Sequence, residues 1–103
     1  MPERLPTTTQ LLTNYPNPFN PETWIPFQLS QDAEVTVTIY DVQGKRVRQL
    51  QLGMVIAGKY VRADRAAHWD GETEAGERVS SGTYFYHIKA GDYTEIRQMV
   101  ILK

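Results

Sequence analysis

The sequence lacks several features that would point to particular classes of protein. It contains no cysteine, which excludes a disulfide framework, a thiolate metal site and a cysteine nucleophile. Its formal net charge is only −1, so charge gives no basis for binding nucleic acid or for membrane association. No apolar run approaches the length of a membrane-spanning helix, so we expect no membrane insertion. Residues 1–4 lack the basic and apolar regions of a signal peptide, so we expect an exported natural protein to carry this sequence on its C-terminal side.

Residues that could support catalysis or bind a cofactor are sparse. The two histidines, His68 and His87, fall in different predicted strands, without a neighbouring cysteine or second histidine. The serines at 80 and 81 are not followed by a helix, as a nucleophile elbow requires, and no glycine-rich phosphate loop is present. The acidic stretch at residues 70–77 alternates carboxylates as a calcium loop does, but its glycine and final ligand are misplaced. We therefore expect no enzyme activity, no metal and no cofactor.

The sequence does contain short runs in which apolar and polar residues alternate. No apolar residues recur at helical spacing for three turns. Strand-like runs separated by turn signals are typical of a two-layer β fold. The prediction is an all-β, antiparallel immunoglobulin-like β-sandwich of about seven strands, with a small barrel as the alternative. The runs begin near Leu11 and then cover residues 23–29, 34–41, 45–52, 59–69, 83–90 and 93–102.

Irregular positions within these runs give further expectations. Pro26 lies inside the run at 23–29 and cannot donate to a ladder, which favours an edge strand. The run at 45–52 loses its alternation, which predicts a bulge near Arg48. Trp69 ends an alternating run and is predicted to be buried between the sheets.

The last two runs are predicted to pair as a hairpin through the Gly91-Asp92 turn. Alternation in the penultimate run places Tyr84 inward. In the final run, parity with Ile96 predicts that Val100 and Leu102 face the core.

Three aromatic residues have the opposite parity to the apolar residues of their runs and are expected to face outward. They are Trp24, Tyr40 and Phe85. Aromatic rings on a sheet face can stack on sugars or mark a protein contact. A carbohydrate-binding or protein-binding surface is therefore one possible function.

Residues 14–21, which we call the proline segment, read Asn-Tyr-Pro-Asn-Pro-Phe-Asn-Pro. Proline fixes φ and removes a backbone donor, so the segment is expected to be extended, turn-rich and rigid. It would either lower its rings onto the edge of the core or mark where a flexible upstream region ends. Residues 1–10 are polar and read as linker, which leaves residues 11–103 as the folded module.

Several patches, taken in order, resemble a known family. The proline segment is followed by Ile39-Tyr40-Asp41, Gly44-Lys45, Ala57-Gly58, Trp69-Asp70-Gly71, Gly76, residues 81–86 and residues 97–103. Over residues 11–103 this order resembles the C-terminal sorting domain of type IX secretion substrates and the immunoglobulin-like module of flagellar hook-capping proteins. The sequence departs from the pattern in a longer stretch between Gly58 and Trp69 and in Gln98, where a basic residue is common.

The resemblance implies a non-catalytic β-sandwich at the C-terminus of a larger exported protein. Its partners would be the outer-membrane secretion machinery and an upstream passenger, and its location the surface of a bacterium with an outer membrane, reached through the periplasm. A binding accessory module and a structural spacer or capping domain are the alternatives. The residues implied to carry recognition or to build the motif are Asn14, Pro16, Asn17, Pro18, Phe19, Trp69, Asp70, Gly71, Gly82, Tyr84 and Lys103.

Overall fold

A computed structural model describes residues 4–103, so the first three residues of the predicted linker lie outside the described residues. Within this range the secondary structure consists of nine strands paired in antiparallel sheets. The predicted all-β sandwich is confirmed, with nine strands instead of seven. The strands are β1 (Gln10–Leu11), β2 (Thr23–Ile25), β3 (Phe27–Leu29), β4 (Ala33–Tyr40), β5 (Arg46–Val55), β6 (Gly58–Tyr60), β7 (Ala67–Trp69), β8 (Gly82–Ala90) and β9 (Tyr93–Ile101).

Two predicted strands are each divided in two, which accounts for the larger number. The first run breaks at Pro26, so that β2 pairs with β7 while β3 pairs with β1 and β6. Because β3 lies between two neighbours, the prediction of an edge strand was wrong: the missing N–H of Pro26 ends one ladder instead. The run at 59–69 breaks at a turn in which the Arg65 and Ala66 amides each donate to the Arg62 carbonyl at 2.8 Å.

The remaining strands form a four-stranded sheet in the order β5-β4-β8-β9. The β4–β5 turn is held by Asp41, whose Oδ1 accepts the Gln43 and Lys45 amides at 2.9 Å each. Gly44 has a φ of +82°, a conformation that glycine adopts without steric cost. Two register shifts leave Val47 and Leu52 as extra residues, so the bulges in β5 flank the position predicted near Arg48.

The core lies between this sheet and the two smaller ones. Inward-facing residues of β4 and β8 meet those of β1, β2, β3 and β7 in one buried cluster. Trp69 is fully buried there, as predicted. The other fully buried large side chains are Tyr86, Phe27, Leu11, Ile25, Leu29, Ile39, Ile88, Met99, Ile101, Val35 and Val37.

The predicted hairpin of β8 and β9 is confirmed, but the predicted inner face of β9 was wrong. Met99 and Ile101 are buried, whereas Leu102 and Ile96 are 59% and 58% exposed. Directly opposed residues share a sheet face, and Met99 lies opposite the inward-facing Tyr84. The inner face of β9 begins with polar residues, so Ile96 was a misleading marker of parity.

Candidate functional site

The proline segment lies along the end of β9 and pairs with it. The Phe19 amide donates to the Val100 carbonyl at 3.0 Å, and the Leu102 amide donates to the Phe19 carbonyl at 3.2 Å. The side chain of Asn17 accepts the Val100 amide at 3.1 Å. With β8 on its other side, the end of β9 therefore has hydrogen-bonding partners on both edges.

Phe19 also connects this pairing to the core. Its ring packs edge-on against Trp69 at a centroid distance of 5.7 Å, and Trp69 packs similarly against Tyr84 at 6.1 Å. The Trp69 indole N–H donates to the Glu72 carbonyl at 2.9 Å, so its polar atom is satisfied. Edge-to-face aromatic pairs contribute about 0.5–1.5 kcal/mol beyond their burial. This cluster therefore holds together three predicted motif residues that are far apart in the sequence.

Gly71, in the loop after β7, lies directly against the backbone of the proline segment. Its φ is +79°, and a Cβ at this position would lie 2.3 Å from the Pro21 carbonyl oxygen. A non-glycine residue would thus meet both backbone strain and a collision with backbone. The side chain of the preceding Asp70 accepts the Glu72 backbone N–H at 3.0 Å, which stabilises the turn after Trp69.

Asn14 anchors the other end of the proline segment. It is buried, and its backbone N–H donates to the hydroxyl oxygen of Tyr86 at 3.0 Å. Tyr86 in turn donates to the Leu12 carbonyl at 2.9 Å, and burial raises the pKa of its hydroxyl, against the opposing effect of the Asn14 amide. The Asn14 side chain also donates to Thr23 at 3.0 Å. Tyr86 has the same parity as Tyr84 and is therefore expected to face inward, but the sequence offered no sign of this hydrogen-bonded role.

A second polar group, also missed from the sequence, joins β9 to β1. Glu95 accepts the Leu11 amide at 3.0 Å, and Arg97 donates to the Leu11 carbonyl at 2.9 Å. Burial by itself would raise the pKa of Glu95, but hydrogen bonds from Tyr93 and Leu11 and the Arg97 charge hold it below its usual value. Burial and the same hydrogen bond to Glu95 raise the pKa of Tyr93 to about 12. The sequence does contain a sign of this group: the positions of β9 that share a face with Met99 include the charged residues Glu95 and Arg97.

The other predicted motif residues have a less direct part in this arrangement. Pro16 and Pro18 are exposed and follow cis peptide bonds. Gly82 begins β8 with a φ of +150°. Lys103 is exposed, and its amide donates to the hydroxyl of Ser81 at 3.1 Å.

The three predicted outward aromatics do not form one surface. Tyr40 and Phe85 are directly opposed on β4 and β8 and share the outer face of the four-stranded sheet. Trp24 lies on β2, in a different sheet, between Tyr15 at a ring distance of 6.2 Å and His68 at 5.2 Å. All three rings are half-buried. A platform that uses all three rings is therefore excluded.

The acidic stretch at 70–77 is organised by a cation from the neighbouring sheet. Arg48 lies 3.2 Å from Asp70 and 3.0 Å from Glu74, and it donates to the Glu72 carbonyl at 3.1 Å. Among residues 4–103 there is no group of three or more histidine, cysteine, aspartate or glutamate side chains that could hold a metal ion. No helix in that range is long and apolar enough to cross a membrane.

Residues 17–93 match the family model described as the FlgD Ig-like domain. The chain belongs to this family. The match extends from the middle of the proline segment to the start of β9 and so confirms the resemblance to immunoglobulin-like modules. No curated protein matches the sequence.

Three solved structures share the fold of this FlgD Ig-like domain. Dimeric latent PorU from Porphyromonas gingivalis is 20% identical with a TM-score of 0.65, and the match covers 89% of this chain and 9% of PorU. PorZ, described as an essential bacterial surface component of the type-IX secretion system of P. gingivalis, is 18% identical with a TM-score of 0.61, over 88% of this chain and 11% of PorZ. FlgD from P. aeruginosa is 25% identical with a TM-score of 0.55, over 71% of this chain and 54% of FlgD. The chain thus spans only a small part of the first two proteins.

Proposed function

We propose that this FlgD Ig-like domain is a non-catalytic C-terminal module that directs export and cell-surface sorting of a larger protein through a type IX-like secretion system. Residues 1–10 serve as the linker to an upstream passenger, although Gln10 already pairs with β3, and residues 11–103 form the sorting module. Its partners are the passenger and the outer-membrane secretion machinery. The module passes through the periplasm and reaches the cell surface or the medium.

The observation that carries this proposal is the convergence of the motif patches on one structure. The proline segment, the Trp69-Asp70-Gly71 turn, Tyr84 and the end of β9 are distant in sequence. Phe19 joins the proline segment to Trp69 and to the end of β9, and Trp69 packs in turn against Tyr84. The order of these patches is the feature that resembles sorting domains. Similarity of fold to small parts of PorU and PorZ adds support, since PorZ is described as part of a type-IX system.

The geometry also suggests what the secretion machinery would contact. The backbone of residues 100–102 is engaged on both sides, so the terminus is part of the folded sheet and not a loose peptide. Leu102 and Lys103 nevertheless have exposed side chains at the end of this strand. Recognition would therefore use the folded end of the module, with the Lys103 charge available at its surface.

A reporter export assay tests this proposal. The chain is fused behind a reporter in a bacterium that carries the type IX machinery, and surface and periplasmic fractions are compared. We expect the reporter at the surface, with Lys103→Glu reducing export while leaving the thermal unfolding transition unchanged. A reporter that remains in the periplasm with the domain attached would refute the sorting function.

Two asparagines in the proline segment provide a matched pair for the same assay. Asn17 accepts the Val100 amide, whereas the Asn20 side chain makes no hydrogen bond to a described residue. Asn17→Ala should reduce both the stability of the module and export, and Asn20→Ala should leave both near the parent values. If the two variants are exported equally although their stabilities differ, export does not depend on the contact between the proline segment and the end of β9.

A structural role in an assembly is the second candidate. It is favoured by the match to P. aeruginosa FlgD, which covers more than half of that protein. This role predicts a stable complex with a partner from the same assembly in pull-down experiments. A reporter exported without such a partner would argue against it.

A further inference from the structure

The rest of the chain covers the β9 edge of the four-stranded sheet but only part of the β5 edge. At the β9 edge, the proline segment bonds to residues 100 and 102, and Glu95 and Arg97 bond to the backbone of Leu11. At the β5 edge, the 70–77 stretch covers only the first part of the strand, through Arg48 and the Gln49 amide. One edge is therefore closed and the other is open over its second half.

The open part of β5 has backbone groups that can accept a further strand. β5 pairs only with β4, and between residues 50 and 55 no backbone group is bonded to any other part of residues 4–103. An unpaired strand edge offers a row of donors and acceptors that another extended chain can complete. The occupant that this edge fits best is thus another β-strand.

The side chains of this segment are uncharged, and all except Gln51 are apolar. Residues 50–56 read Leu-Gln-Leu-Gly-Met-Val-Ile. Met54 and Ile56 are 71% and 65% exposed, while Val55 between them packs on the core. With Leu52, this stretch holds three of the eight large hydrophobic residues exposed in the described chain. Clustering of this kind marks a contact surface more often than single exposed residues do.

We propose that the second half of β5 is a dimerisation edge, at which two copies of this chain pair antiparallel around a two-fold axis near Met54. Such pairing places Met54 opposite Met54 and Gly53 opposite Val55 of the second copy, and the last two share the inner face because they oppose Val35 and Ala33. The paired segment carries no charge, and the charge of Arg48, which precedes it, is already paired with Asp70 and Glu74. The edge is therefore complementary to itself, as a two-fold contact requires.

The closed β9 edge limits the assembly to a dimer. Each four-stranded sheet has one open edge, so pairing β5 with β5 occupies it and leaves no open edge of this sheet for a third copy. The bulge at Leu52 and the positive φ of Gly53, +74°, restrict how much of the strand can pair. A weak and reversible dimer is the expected outcome, and it does not depend on the sorting function.

Sedimentation velocity of the full 103-residue chain tests the proposal, at concentrations from about 10 µM to about 1 mM. We expect a concentration-dependent dimer. Met54→Lys brings like charges together across the axis and should weaken the dimer by at least about tenfold. Ile96→Lys is the matched control, because Ile96 is similarly exposed but lies on β9, and it should leave association unchanged.

Single-cysteine variants give an independent readout, since the chain has no cysteine of its own. Met54→Cys should cross-link two copies with a short bifunctional maleimide much faster than Ile96→Cys. A monomer at the highest concentration would overturn the proposal. So would a dimer that Met54→Lys leaves intact, or equal cross-linking of the two cysteine variants.

Discussion

Substituting Gly71 by alanine should disrupt the contact between the proline segment and the turn after β7. The new Cβ would lie 2.3 Å from the Pro21 carbonyl oxygen, at a residue whose φ is +79°. Gly44 is the matched control, since its φ is +82° and a Cβ there would meet nothing within 4 Å. The two substitutions share the backbone strain and differ in the collision.

The magnitudes follow from these two contributions. A non-glycine residue in the left-handed region costs about 1–2 kcal/mol. Loss of glycine flexibility in the unfolded chain offsets about 0.4–1 kcal/mol of that cost. Gly44→Ala should therefore lower the free energy of unfolding by about 1 kcal/mol or less. Overpacking adds about 1–3 kcal/mol at Gly71, because the obstacle is backbone and cannot rotate away. Gly71→Ala should lose about 2–4 kcal/mol in total.

Urea unfolding measures both variants, since each retains both tryptophans. With an m-value of about 1–3 kcal/mol/M, the midpoint of Gly71→Ala should fall by roughly 1 M more than that of Gly44→Ala. Hydrogen exchange provides a local readout. The Phe19 and Leu102 backbone amides, whose hydrogen bonds join the proline segment to the end of β9, should lose protection only in Gly71→Ala. Losses within about 0.5 kcal/mol of each other would refute the close approach of Gly71 to Pro21.

Other perturbations test the core, the last strand and the polar group beside it. Trp69→Ala should cost about 3–5 kcal/mol and the half-buried Trp24→Ala clearly less, as followed by far-UV circular dichroism; equal losses would contradict the assigned core face. Deleting residues 99–103 removes Met99, Ile101 and the bonds to the proline segment, so the cooperative thermal transition should disappear; a transition near the parent's would make the terminus an accessory. The pKa of Glu95 is lowered on folding, so ionised Glu95 stabilises the fold above its unfolded-state pKa, and this stabilisation is lost as the pH falls through its folded-state pKa. Glu95→Gln should therefore lower the free energy of unfolding at neutral pH, and the difference from the parent should disappear in acid. Tyr93 has its pKa raised from 10.0 to about 12, so stability should fall as pH rises through that interval, and Tyr93→Phe should reduce this fall and leave the part that comes from the raised pKa of Tyr86; an unchanged alkaline profile would contradict the role of Tyr93.

Much of the fold could be predicted because it depends on neighbouring residues. Alternation in β4 places Val35, Val37 and Ile39 inward whatever the strand pairs with, since the side-chain period of a strand is two. The turns at Gly44 and Gly91 were likewise predictable, because they need residues that accept positive φ. The motif residues were found by their order along the chain, although their contacts were not.

The sequence by itself determined the secondary-structure type and the β8–β9 hairpin, since each follows from local backbone preferences. Tertiary structure decided where Pro26 divides a strand between two sheets and which face of β9 is buried. It also decided that the proline segment pairs with the end of β9 and that β5 is left open, because these outcomes depend on partners many residues away. An alternating pattern shows that a strand has two faces, but only the opposing strand, as Tyr84 does for Met99, selects the face that is turned inward.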